Sequence, residues 1–125
     1  MKANIKFVTE KFNVFNRQIF ANELPMLPIR IGHARTSLGG LACNKKTNLF
    51  GKTQYYNFRM IISDSIDLPQ EELEDIIIHE MIHYFIAHKQ IQDTSAHGKL
   101  FMKMMNDINK RFGRHLTSSL FCAIT

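Results

Sequence analysis

The sequence predicts an α+β fold, a small and mostly antiparallel sheet packed on one long helix with flanking helices. Three observations carry that expectation. Apolar residues recur at helical spacing near both ends of the chain and again after Pro69. Three strand-like runs separated by turn residues lie between residues 29 and 63. The length of 125 residues, 45% of them hydrophobic, suits one compact domain over residues 1–125 and is too short for two.

Val8, Phe12, Phe15 and Ile19 repeat every three or four residues, so residues 4–22 read as an amphipathic helix, with Pro25 and Pro28 closing it. Strands follow at Ile29 to His33, Ser37 to Asn44 and Tyr55 to Ser63, with Thr47, Asn48 and Gly51 as turn signals. The pair Gly39 and Gly40 marks a bulge or a close backbone approach. Beyond Pro69, the acids Glu71, Glu72, Glu74 and Asp75 complement the start of a helix dipole, and an apolar-rich run continues to Lys89. Gln90 to Ser95 is a polar connection. The last helix extends from about Ala96 to Phe112 on the stripe Phe101, Met104, Met105, Ile108 and Phe112, and Gly113 stops it.

Composition excludes several classes. Lys2, Lys6, Glu10 and Lys11 interrupt the first residues, so no signal peptide or membrane span is read there. Cys43 and Cys122 are the only cysteines and form no CxxC, which excludes a disulfide framework and points to thiols in a reducing cytoplasm, with Cys43 as a small buried residue. The net charge of +5 suits association with a polyanion and equally suits simple solubility.

The chemistry is concentrated in His79-Glu80-Met81-Ile82-His83, an HExxH pattern within the long helix. Four residues advance a helix by slightly more than one turn, so the two imidazoles stand about 40° apart and about 6 Å along the axis, able to chelate one ion. Glu80 lies about 60° from His83, beside the metal without binding it, where a carboxylate takes a proton from water.

A catalytic zinc needs a third protein ligand and an open fourth position. His88 stands about 160° from the midpoint of the pair and reads as a surface residue near the helix end. Asp93, in the connection, has the reach of a ligand and the sequence position of a turn or capping residue. His97 is the best candidate, fourteen residues beyond His83, followed by Gly98, whose missing side chain lets that backbone approach the first metal helix.

Ile77 to His83, followed by His97-Gly98-Lys99-Leu100-Phe101, resembles the SprT-like metallopeptidases, which include the Spartan proteases acting on DNA–protein crosslinks. Ile29 to Ile31, Leu38 to Gly40 and Met60 to Ser63 are also similar to that family's small sheet. The likeness covers roughly residues 5–112. It implies a zincin-like fold with Zn2+ held by His79, His83 and His97, and Glu80 as catalytic base in hydrolysis of a peptide bond. Family members often add a four-cysteine ribbon or long tails, which these residues do not include.

Several weaker signals remain. Asp75, one turn before His79, either orients the imidazole or simply favours the helix start. Lys99, Lys103, Lys110 and Arg114 fall within about 60° of one another and make a basic stripe for DNA or a solvated face. Tyr55, Tyr56 and Phe58 either stack on unpaired bases or form cross-strand pairs. His33 and His115 have no nameable partner. The expected substrate is a protein or peptide, aligned along an edge strand near residues 57 to 63, in a cleft between sheet and metal helix. The competing class is a non-catalytic zinc domain that recruits a nucleic acid or protein partner. Glu80 separates the two, since a structural site has no use for a carboxylate beside an open position.

Overall fold

A computed structural model describes residues 1–119, and Cys122 lies outside them. In chain order the elements are α1 (Ile5–Ile19), β1 (Ile29–Gly32), β2 (Gly39–Thr47), β3 (Thr53–Ser63), α2 (Gln70–His88) and α3 (Lys99–Phe112). The α+β expectation is met, with a three-stranded sheet. No helix among the described residues is long and apolar enough to cross a membrane.

Asn4 starts α1 by accepting a hydrogen bond from the Phe7 N–H at 2.8 Å. The helix stops at Ile19, short of the expected residue 22, because Ala21 and Asn22 adopt left-handed backbone with φ of 53° and 60°. Its buried face, Val8, Phe12 and Phe15, packs toward α2 and β1. α2 is apolar nearly all round, with Leu73, Ile76, Ile77, Ile78, Met81, Ile82 and Tyr84 buried. A helix of that kind belongs in the middle, and α2 meets α1, β2, β3 and α3. Burying Ile77, Ile78, Met81 and Ile82 contributes about 1.5–3 kcal/mol each.

The sheet order is β1-β3-β2. β2 and β3 form an antiparallel hairpin from Gly39↔Ile62 to Thr47↔Thr53, and β1 runs parallel to β3 from Ile29↔Met60 to Gly32↔Ser63. The sheet is therefore mixed, with the antiparallel ladder the longer one. β3 is the central strand, so residues 60 to 63 are paired on both sides and cannot serve as an edge. β2 is an outer strand. Its register shifts between Ala42 and Asn44, at half-buried Cys43, which is neither deeply buried nor in a disulfide.

The expected glycine effect falls at Gly39. A Cβ there would meet Glu80 Oε2 and Ile76 Cγ2, both at 3.0 Å. α2 and the start of β2 come this close because position 39 carries no side chain.

Candidate metal centre

His79 and His83 project from the same side of α2, and His97 reaches them from the connection that precedes α3. The Nε2 atoms are 3.3 Å (His79 to His83), 3.2 Å (His83 to His97) and 3.3 Å (His79 to His97) apart. An ion held tetrahedrally at zinc–nitrogen distances has ligand atoms about 3.3–3.4 Å apart. The three imidazoles thus outline one face of such a tetrahedron and could hold a metal ion, the one group of this kind among the described residues.

The protonation of the cluster agrees with that use. His79 Nδ1 lies 3.0 Å from the Thr117 carbonyl oxygen, which can only accept, so Nδ1 carries the proton and Nε2 turns its lone pair inward. Burial lowers the pKa of His79 to about 4, with His97 adding to the effect and the Thr117 bond opposing it. Burial, then the neighbouring His79 and His97, lowers His83 to about 4 as well. Neutral imidazoles are what a metal needs. Phe101, fully buried, lies behind all three rings at centroid distances of 5.0, 4.5 and 4.8 Å from His79, His83 and His97.

Glu80 is buried beside this group, with Oε2 at 4.0 Å from His79 Nε2 and Gly39 above it. Burial pushes its pKa up to about 8. A carboxyl group so placed is a proton acceptor of adjustable strength, since a cation among the imidazoles would draw it back toward the ionised form.

Asp93 does not join the cluster. Its carboxylate accepts from the N–H groups of Thr94 at 2.7 Å, Leu100 at 3.1 Å and Phe101 at 2.8 Å, capping α3. That cap explains why α3 starts at Lys99 rather than Ala96, with His97 just before the Gly98 N-cap. Gly98 makes a close approach, but to the connection rather than to α2, for its Cβ would meet Thr94 Oγ1 at 2.3 Å and Asp93 Oδ1 at 2.6 Å.

Asp75 also has another task. It pairs with Arg114 at 3.2 Å, while Arg114 binds Glu74 at 3.0 Å and lies 5.0 Å from the Phe15 ring centroid. Arg114 is therefore a largely buried, neutralised cation and drops out of the basic stripe, whereas Lys99, Lys103 and Lys110 are exposed. His33 pairs with Asp64 at 2.6 Å, and Phe58 packs on Tyr84 and His88.

The residue that orients His79 is Thr117, through its carbonyl, in a segment where the sequence offers no motif. Asn109 holds that segment, accepting the Leu116 N–H at 2.8 Å and donating to the Leu116 carbonyl at 3.0 Å. A cleft of about 500 Å³ runs between this segment and the first turns of α2, bounded by Leu38, Pro69, Ile76, His79 and Leu116. It opens along the C-terminal segment, with Leu38 at the entry to β2 on its other side.

Comparison with known proteins agrees with the geometry. The SprT-like family matches residues 8–120. The DNA-dependent metalloprotease SPRTN of Xenopus tropicalis is 39% identical over 51 residues, a stretch covering 39% of this chain and 12% of that protein.

Proposed function

This chain belongs to the SprT-like family, and from that premise we propose that it is a zinc-dependent metalloendopeptidase of the zincin type, one domain acting in the cytoplasm. The observation that carries the reading is the trio of Nε2 atoms at 3.2–3.3 Å with the Glu80 carboxylate beside it. His79, His83 and His97 hold the ion, and no fourth protein ligand closes the site among the described residues. Bound zinc supplies a Lewis acid for the scissile carbonyl and lowers the pKa of water.

Glu80 accepts a proton from the attacking water at Oε2 and delivers it to the leaving amine nitrogen. Its burial keeps bulk water from competing for that proton. The substrate main chain lies in extended form along the outer edge of β2 at its Gly39 end, where the strand comes against Glu80, in place of the β3 alignment expected from sequence. The cleft beside His79 receives a side chain or a following segment of the substrate. A DNA-bound protein is the substrate we favour, because the relative above is DNA-dependent and this chain carries +5.

The test pairs metal analysis with turnover. Purified protein is expected to hold one zinc and cleave an unstructured protein, and Glu80→Gln is expected to keep zinc and lose cleavage. Turnover retained in that variant would remove Glu80 from the mechanism. A zinc-loaded wild type without cleavage, with or without DNA, would leave the non-catalytic recruiting domain.

A further inference from the structure

The charge of the chain is divided between two parts of the fold. Residues 24–63 hold six of the sixteen Lys and Arg and none of the eleven Asp and Glu, giving this segment +6 and the rest of the chain −1. The segment contains β1, β2 and β3, so the sheet carries the excess. Lys99, Lys103 and Lys110 of α3 belong to the part that is slightly acidic on balance.

The hairpin end of the sheet adds two features. Lys45, Lys46 and Lys52 flank a turn whose Leu49 and Phe50 are 102% and 94% exposed. The turn is built, not slack. Asn48 Oδ1 accepts from the N–H groups of Phe50 at 2.9 Å and Lys52 at 3.0 Å, the Asn48 N–H donates to the Lys52 carbonyl at 2.9 Å, and Gly51 takes φ of +80°. Two large apolar side chains held in water by an ordered turn mark a contact surface.

Beside the tip lies a groove of about 450 Å³ lined by Lys46, Asn48, Lys52, Gln54 and Gln90, with no acidic side chain among its described lining residues. Gln90 fastens it to the end of α2, accepting from the Tyr55 N–H and donating to the Tyr55 carbonyl, both at 2.8 Å. The Lys46 ammonium lies 5.9 Å from the ring centroid of half-exposed Tyr56.

We propose that the β2–β3 hairpin docks single-stranded nucleic acid, its phosphates in the groove at Lys46 and Lys52 and its bases stacked on Phe50 and Tyr56. The proposal rests on the DNA-directed part of the functional reading and gives it a surface. Cations recruit the backbone, while rings need base faces that only a single strand exposes. Gln54 adds a neutral donor and acceptor that suits sugar and base edges, while Asn48 and Gln90 hold the turn and the groove wall in place. An anionic bilayer would also attract lysines beside Leu49 and Phe50, but it has no use for a walled polar groove. From Gly39 to Thr47, β2 spans about 26 Å. A protein attached to the docked strand is thereby kept within its own diameter of Glu80.

The experiment is fluorescence anisotropy of the full, zinc-loaded chain with labelled oligothymidylate of about 16 nucleotides across a salt series. Phe50→Ala is expected to weaken binding about tenfold with little change of salt slope. Lys46→Gln with Lys52→Gln is expected to flatten the log–log slope by about 1.4, at about 0.7 per phosphate. Lys99→Gln, Lys103→Gln and Lys110→Gln together are expected to cost less than the hairpin pair, and all these variants should cleave a short peptide like the wild type. Hairpin variants that bind as the wild type does, or a larger loss from the α3 set, overturn the proposal. A wild type that cleaves peptide but ignores the oligonucleotide also overturns it while leaving the peptidase reading intact. Capture by phosphatidylserine vesicles without oligonucleotide binding overturns it in favour of a membrane.

Discussion

The two ends of β2 obey opposite rules. At Gly39 the strand is pressed against Glu80, a carboxyl group in dry surroundings whose pKa burial raises to about 8. Eight residues on, the same strand ends among lysines and a fully exposed phenylalanine. Bond-making chemistry needs few, fixed groups removed from water, because their fields are then strong and proton transfer has no competitor. Capturing a polymer needs many solvated charges that reach outward and tolerate motion. A strand about 26 Å long keeps these two surroundings apart within one small domain.

The sharpest way to break that contrast is to remove one of the proposed metal ligands beside Glu80. His79→Ala, His83→Ala and His97→Ala are each expected to lower zinc affinity by more than about 100-fold, beyond the effect of a supporting residue, and to end turnover. Chelator competition measures it, and undiminished affinity in His97→Ala would strike out the third ligand. Glu80→Gln is expected to reduce kcat on the order of 10³-fold while zinc stays bound. Steady-state cleavage of a quenched peptide gives the number.

The Asn109 clasp is a smaller lever. Asn109→Ala releases the segment that carries Thr117, so His79 loses the acceptor that holds its tautomer. Zinc affinity is expected to fall about tenfold with the circular dichroism spectrum unchanged. An unaltered affinity would reduce the clasp to packing.

The smallest effect is a pH signature of the chelator-treated protein. Glu80 has a folded pKa of about 8 above its ordinary 4.5, so its ionisation takes stability away as pH rises from 4.5 to 8. His79 and His83 are lowered from 6.5 to about 4, so stability is lost as pH falls from 6.5 to 4. The two imidazoles outweigh the one carboxyl group where the branches overlap, so thermal melts should peak near pH 6.5. Glu80→Gln should abolish the alkaline branch alone, and a wild-type Tm that is flat from pH 5 to 8 would contradict the burial of that carboxyl group.

Legibility followed distance along the chain. His79, Glu80 and His83 were readable because helix geometry fixes neighbours four residues apart. His97 was readable through its spacing and its Gly98 to Phe101 sequel, although it stands before α3 rather than in it. Arg114 was misread, since a helical wheel cannot see Glu74 and Asp75 about forty residues earlier. Thr117 acts through a carbonyl that every residue type possesses, so no side-chain pattern could mark it. Strand order is non-local in the same way, and β3 became central only because β1 added to its far side. Lys46 and Lys52 line one groove only because the hairpin closes and brings the two strands side by side.

Position 39 has a consequence for surveys of relatives. A chain that keeps HExxH and the distant histidine but carries alanine in place of Gly39 would count as intact by its motifs. Its extra methyl would sit at 3.0 Å from Glu80 Oε2 and Ile76 Cγ2 and would shift the carboxylate by a few tenths of an ångström. Displacements of that size take up much of the tolerance of about 0.5 Å within which such a constellation must be held. If the proposed peptidase reading holds, such a protein is expected to fold and to keep its ligand set, with a lowered turnover that no inventory of ligands would show. Inactive branches of such a lineage are therefore to be sought in a strand that holds no metal and donates no proton.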